Sequence, residues 1–156
     1  MKDLQTLLNQ YGESHINSTN KIIHWICVPA IMFSLIGLLK SLPFFVSRDF
    51  MLNWGGVALI AALLYYLRLS ISMFLGFFII GLIILWGNQK IWLAMDQSYS
   101  GLALFSIMLF VVAWIGQFIG HKIEGKKPSF LEDLQFLLIG PAWLLHFIFE
   151  KVGLKY

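Results

Sequence analysis

The sequence predicts an all-α protein: a polytopic membrane helical bundle of four to five spans, with an amphipathic helix at its front, forming a single integral membrane domain over residues 1–156. Composition is the first observation behind this. The chain is 59% hydrophobic and 12% charged, where soluble domains carry about 25% charged residues, and its mean hydropathy is +0.79. Second, the apolar runs are long, numerous and evenly spaced, so they are more than one signal peptide. Third, the N-terminal stretch MKDLQTLLNQYGESH has no basic region followed by a short apolar core, the pattern of a secretory signal. The membrane segments are therefore expected to belong to the mature protein.

Leu4, Leu7, Leu8 and Tyr11 recur at i, i+3, i+4 and i+7, a helical stripe too short to span a bilayer and expected to lie in the interface. His15 falls on the same stripe. Asn17-Ser18-Thr19-Asn20 then breaks the helix and supplies an N-cap for the next one. The apolar body from Ile22 to Leu42 would extend about 31 Å at ~1.5 Å per residue, enough for the hydrocarbon core. His24 sits in its first turns, Pro29 is expected to kink it, and Lys40 to snorkel at its far end.

Residues 43–49 read as a turn, Phe50 to Leu67 as a second span and Ile71 to Trp86 as a third, with Gly87-Asn88-Gln89-Lys90 as its polar exit. Ile91 to Gly101 reads as an interfacial connection, and Leu102 to Gly120 as the fourth span. Ser129 and Glu132 form a capping box for a last helix running through Leu134 to Phe149, which Gly140-Pro141 must bend or break.

With five crossings, six basic residues fall on the N-terminal side (Lys2, Lys21, Arg68, Lys122, Lys126, Lys127) and five on the other (Lys40, Arg48, Lys90, Lys151, Lys155). This difference leans only slightly toward a cytoplasmic N-terminus. Scattered in this way, the basic residues of a chain with net charge +3 form no patch that nucleic acid would need. The single cysteine, Cys27, excludes an intrachain disulfide and a cysteine metal cluster, and reads as a small buried apolar side chain.

Polar chemistry concentrates at one place. In Trp114 to Pro128 (WIGQFIGHKIEGKKP), Gln117, His121 and Glu124 stand at i, i+4 and i+7, on one helical face. Gly125 and Pro128 then end the helix. The topology brings His15, His24, His121 and Glu124 to the same membrane face, with Glu13, Asn17 and Asn20 nearby. Imidazoles in such company suit iron, zinc or copper, and a few histidines with open coordination positions suit oxygen chemistry at iron. Ordinary interfacial polar residues are the competing reading. His146, about 18 Å along the last helix at ~1.5 Å per residue, is too deep for this cluster if that helix is straight. It reads either as a functional residue within the membrane or as a histidine near the opposite interface.

Tyr11-x3-His15-x-Asn17-x2-Asn20-x3-His24-x4-Pro29, together with Trp114-x2-Gln117-Phe118-x-Gly120-His121-x2-Glu124-x3-Pro128, resembles the membrane-embedded 2-hydroxy fatty acid dioxygenases of α-oxidation, whose fungal members act in phytosphingosine breakdown. The likeness covers almost the whole chain. It implies an Fe(II)-dependent, 2-oxoglutarate-independent enzyme that uses dioxygen to shorten a long-chain 2-hydroxy fatty acid by one carbon. His15, His24 and His121 match the motif histidines and are implied as metal ligands. Glu124 and Gln117 become the candidate catalytic residues, with Glu124 open as a ligand, a partner of a ligand or a group that orients substrate. Lys122, Lys126 and Lys127 are available to the acid head group or simply to the membrane surface.

Membrane di-iron desaturases also act on acyl chains, but their histidine-rich boxes need about twice the 4 histidines present here. The remaining alternative is a non-catalytic membrane scaffold or transporter subunit; transport predicts charges inside the spans, and nearly all charges lie in loops. The short loops favour a bacterial inner membrane over the endoplasmic reticulum.

Overall fold

The computed structural model describes residues 3–46, 50–127 and 135–156, and the described residues form six α-helices. The first, α1 (Leu4–Gly12), is capped by Asp3, whose carboxylate accepts from the Thr6 amide at 2.7 Å. That hydrogen bond holds the Asp3 carboxyl below its ordinary range. The apolar stripe is buried as its spacing requires, but its partner is a second helix as well as any interface: Leu4, Leu7, Leu8 and Tyr11 share one core with Ile139, Trp143 and Leu144 of the last helix.

Asn17 starts α2 (Ser18–Ser41) by accepting from the amides of Thr19 at 2.9 Å and Asn20 at 3.3 Å. α2 continues through Pro29 as one helix. α3 (Trp54–Leu69) begins later than the apolar run, because Asn53 caps it through the Gly56 amide at 3.1 Å. Ser70 alone connects α3 to α4 (Ile71–Ala94), closing one helix with its amide and opening the next with its hydroxyl.

The largest departure from the expected boundaries is in α4, which does not end at Gly87–Lys90. Asn88 donates to the Phe33 and Ile84 carbonyls, each at 3.1 Å, and Gln89 accepts from Lys40. With the Asn88 amide nitrogen and the Gln89 amide oxygen engaged inside the bundle, both residues stay in the helix. Lys40 is consequently buried, 1% exposed, with its ammonium over the Trp92 ring, and does not snorkel. A tight turn with Asp96 and Gln97 at positive φ leads to α5 (Tyr99–Glu124), which ends at Gly125, at φ 73°. Pro128, Ser129 and Glu132 lie outside the described residues.

α2 and α5 run antiparallel along their full length: Gly37 faces Ser106, Cys27 faces Gly116 and Asn20 faces Gly120. A Cβ on Gly116 would lie 2.6 Å from Cys27 Sγ, so this close approach needs glycine. Cys27 is half-buried in that contact rather than fully enclosed. Ile26, Ile60, Ile83 and Val112 are among the large apolar side chains on the outer surface, as a lipid-facing bundle requires.

Three helices, α2, α4 and α5, are long and apolar enough to cross a membrane. α3 is a shorter apolar helix, about 24 Å long at ~1.5 Å per residue. The last helix, α6 (Phe136–Val152), runs unbroken through Pro141, where a bend or break was expected. Near its start Tyr66 Oη donates to the Leu138 carbonyl at 2.8 Å, and just past its end Ser72 Oγ donates to the Lys155 carbonyl at 2.6 Å. Tyr66 and Ser72 flank the α3–α4 junction, so α6 and the residues after it are tied to the end of the bundle where that junction lies. α6 covers that end, because its apolar surface is claimed by α1 and by Gly76 and Phe77 of α4.

This places the two chain ends on one face. In a Cys27→Ser background, a cysteine introduced by Lys155→Cys should react with a membrane-impermeant maleimide from the same side of sealed vesicles as one at Lys122→Cys, and one at Gln97→Cys only from the other. Reaction of the Lys155→Cys protein on the Gln97 side would mean that α6 crosses.

Candidate metal centre

Three histidines meet where α2, α5 and the loop between α1 and α2 converge. His15, His24 and His121 are 1%, 0% and 5% exposed, and one candidate ligand atom from each lies within 4.8 Å of the others. Local structure aims two of them. His15 Nδ1 is 2.6 Å from the Tyr11 carbonyl, and His24 Nδ1 is 3.0 Å from the Asn20 carbonyl. Both partners sit four residues earlier in the chain. A carbonyl only accepts, so each ring carries its proton on Nδ1 and presents an Nε2 lone pair.

Those two Nε2 atoms face each other at 2.9 Å. Two lone pairs at that distance repel unless a cation lies between or beside them. A proton is disfavoured, since burial and the neighbouring His24 push the His15 pKa down to about 3. A metal ion suits the spacing: two nitrogens each ~2.1 Å from one ion, at right angles, stand about 3.0 Å apart. His121 adds a third donor, and its Nδ1 is buried without a hydrogen-bond partner among the described residues. His15 and His24 therefore fit a metal by donor type, tautomer and separation, and His121 by donor type and proximity.

Aromatic packing fixes the rings further. Tyr11 stacks on His15 with centroids 4.1 Å apart, and Trp143 of α6 lies 5.1 Å from the same ring. Tyr11 is part of the sequence motif. Trp143 is not, since nothing in a run of apolar residues distinguishes the one that will reach a histidine across the bundle. Burial raises the Tyr11 phenol pKa, so Tyr11 remains neutral.

Glu124 projects from the same end of α5 but faces elsewhere. Its carboxylate accepts from the Ile16 amide at 2.9 Å, the Asn17 amide at 3.0 Å and Asn20 Nδ2 at 2.9 Å, so it caps the start of α2 and favours its positive dipole end. Lys126 Nζ donates to the Glu13 carbonyl at 2.6 Å. Together they clasp the end of α5 to the loop that carries His15. Gln117 lies beside His24, and its Nε2 is buried with no hydrogen-bond acceptor among the described residues.

Gln117 and His121 line a cavity of about 60 Å³, together with Tyr11, Val28, Met32 and Pro141. His146 stays outside the group, with Nδ1 bonded to the Trp143 carbonyl and Nε2 4.0 Å from Glu150. Burial lowers its pKa. It sits on the face of α6 beyond Trp143, at the same end of the bundle as the other histidines.

With this geometry in place, the comparisons with known proteins are specific. A family described as "Mpo1-like: 2-hydroxy-palmitic acid dioxygenase Mpo1-like" matches residues 1–152. The chain is similar to the 2-hydroxy-palmitic acid dioxygenase MPO1 of Saccharomyces cerevisiae, 26% identical over 155 residues, covering 97% of this chain and 82% of the yeast protein. No solved structure matches the chain.

The clasp has a measurable consequence. Glu124→Ala removes a charged acceptor from three donors at once and should lower stability by about 1–3 kcal/mol, read as a reduced thermal midpoint of metal-free protein in detergent. Glu124→Gln, which keeps an acceptor oxygen, should lose less. Equal midpoints for the parent and Glu124→Ala would show that the clasp contributes nothing.

Proposed function

The chain belongs to the Mpo1-like family, and on that premise we propose that it is a membrane-embedded Fe(II) dioxygenase that shortens long-chain 2-hydroxy fatty acids by one carbon, without 2-oxoglutarate. The observation that carries the metal in this reading is the pair of buried Nε2 lone pairs 2.9 Å apart, with a third imidazole beside them. In this proposal His15, His24 and His121 hold the iron, and the bound metal supplies the redox chemistry that dioxygen requires.

The protein's own residues do the rest. The Tyr11 and Asn20 carbonyls hold the two imidazole protons away from the centre and so keep both Nε2 atoms available. Gln117 Nε2, which has no acceptor among the described residues, offers a donor to the carboxylate or hydroxyl of the substrate. Glu124, with both oxygens engaged by the loop and by Asn20, is assigned to positioning His15 and His24. Burial of the three rings keeps bulk water from the reacting centre. The substrate class comes from the family and from the position of the cluster, at a bundle end where a polar head group meets an apolar interior.

The histidine end also carries Lys21, Arg68, Lys122, Lys126, Lys127, Lys151 and Lys155, seven of the nine basic residues described, against Lys40 and Lys90 at the other. This asymmetry supports a cytoplasmic histidine end, and the short connections between helices favour a bacterial inner membrane. Exposed Lys122 and Lys127 are available there to an approaching carboxylate.

Elemental analysis of detergent-purified protein should find about one iron per chain, reduced to background in His15→Ala, His24→Ala and His121→Ala, with activity on 2-hydroxyhexadecanoate falling about a hundredfold or more. No iron after anaerobic reconstitution with Fe(II) would end the dioxygenase reading. Gln117→Ala should keep its iron and lose about tenfold in kcat/KM, the order expected for one hydrogen bond to a charged group; unchanged kinetics would remove Gln117 from the site.

A further inference from the structure

Beside the histidine cavity lies a second space that the metal chemistry does not use. It is a groove of about 340 Å³ between α2, α4 and α6, lined without exception by apolar side chains, among them Trp25, Phe33, Phe77, Ile80, Ile84 and Leu144. That volume is in the range of small-molecule sites. The groove is not isolated from the cluster. Val28, Met32 and Pro141 line both it and the cavity at His121 and Gln117, so three side chains are all that separates them. Of the three, Met32 is flexible and unbranched, the kind of side chain that repacks around a ligand.

We propose that this groove holds the hydrocarbon tail of the 2-hydroxy acid, with the chain passing from the histidine cavity over Met32 and running along α2 toward Phe33 and Ile84. The inference rests on the reading of the protein as a 2-hydroxy fatty acid dioxygenase and adds where the tail goes and what measures its length. Two features favour an acyl chain over a partner helix. The groove starts at the wall of the cavity that would hold the head group, and its lining exposes almost no polar surface to orient a peptide. From His24 to Phe33 the groove side of α2 extends about 13 Å at ~1.5 Å per residue. Phe33 lies against Gly87, where a Cβ would come within 2.7 Å of its ring, so the far end is backed by two helices. Chain-length preference is thereby set by Phe33, Ile80 and Ile84. A tail that left the cavity on its other side, past Ile31, Trp114 and Leu137, would meet only lipid and would be measured by nothing.

The test compares 2-hydroxyhexadecanoate with 2-hydroxyoctanoate. Ile80→Trp fills the groove and should lower the ratio of their kcat/KM values at least about tenfold, the effect of excluding two buried methylenes. Ile107→Trp, on the lipid-facing side of α5, should leave the ratio unchanged. An unchanged ratio in folded Ile80→Trp overturns the proposal.

A second measurement does not depend on turnover or on that variant folding. A 2-hydroxyhexadecanoate carrying a diazirine near its methyl end is photolysed with the parent protein, and the labelled peptides are identified. Labels at Phe33 and Ile80 to Ile84 support the groove; labels at Ile31, Trp114 or Leu137 overturn it. Should the parent shorten no 2-hydroxy acid of any length, the proposed activity fails, and the labelling still decides where the chain lies.

Discussion

The close antiparallel pairing of α2 and α5 is the constraint on which the site depends. Gly116 and Gly120 bring α5 against Cys27 and Asn20, and at that separation His24 and His121 face each other with ring centroids 5.0 Å apart. Interhelical packing in a bilayer has no hydrophobic driving force of its own, since lipid tails are as apolar as leucine. Shape and hydrogen bonds must supply it. At the histidine end the hydrogen bonds come from Glu124 and Asn20, and toward the other end from Asn88, which reaches from α4 to the Phe33 carbonyl. The polar residues that might have been read as exits from the membrane are thus the fastenings of the bundle.

Much of this was legible in the chain. The stripe of Leu4, Leu7, Leu8 and Tyr11, the Asn17 cap and the Gly125 stop are local signals, written within a turn or two of where they act. The arrival of His15, His24 and His121 at one face followed from counting passages of the chain between the bundle's ends. What could not be read was tertiary. Gly87 to Lys90 looks like a helix end until Lys40 is seen to bond Gln89 and the Phe33 carbonyl to accept from Asn88. Gly140-Pro141 looks like a break in a span, whereas the helix continues and Tyr11 approaches where Gly140 lacks a side chain. A hydrophobic helix of 17 residues carries no mark that tells a crossing from a cover, and its ties to Tyr66 and Ser72 at the α3–α4 junction join residues far apart in the sequence.

The same cover explains how a site at a membrane surface can be dry. Without α6, His15 would stand at the end of an amphipathic helix, open to the interface. Trp143 reaches it from one side and Tyr11 from another, and the core that α1 and α6 share is as closed as that of a soluble protein: Leu7 is 1% and Ile139 0% exposed. The role of α1 is therefore more than attachment to lipid. Its leucines bury α6, and α6 buries the histidine that follows α1 in the chain.

The cluster itself opposes folding until something positive occupies it. Three buried imidazoles, two of them with lone pairs opposed at 2.9 Å, are polar groups taken from water without full compensation, and each such group costs on the order of 1–3 kcal/mol. A ligand that binds only the folded chain returns that energy by mass action, about 4 kcal/mol at a thousand times its dissociation constant. Under the proposed reading the iron would therefore be part of what closes the α1–α2 loop onto α5, as well as the reagent. The hydrogen-bonded clasp of Glu124 and Lys126 does not depend on the metal, so it holds the loop near its final place while the centre is empty. Metal entry then needs only an adjustment of three rings, two of which have had their tautomers chosen by the backbone carbonyls of Tyr11 and Asn20.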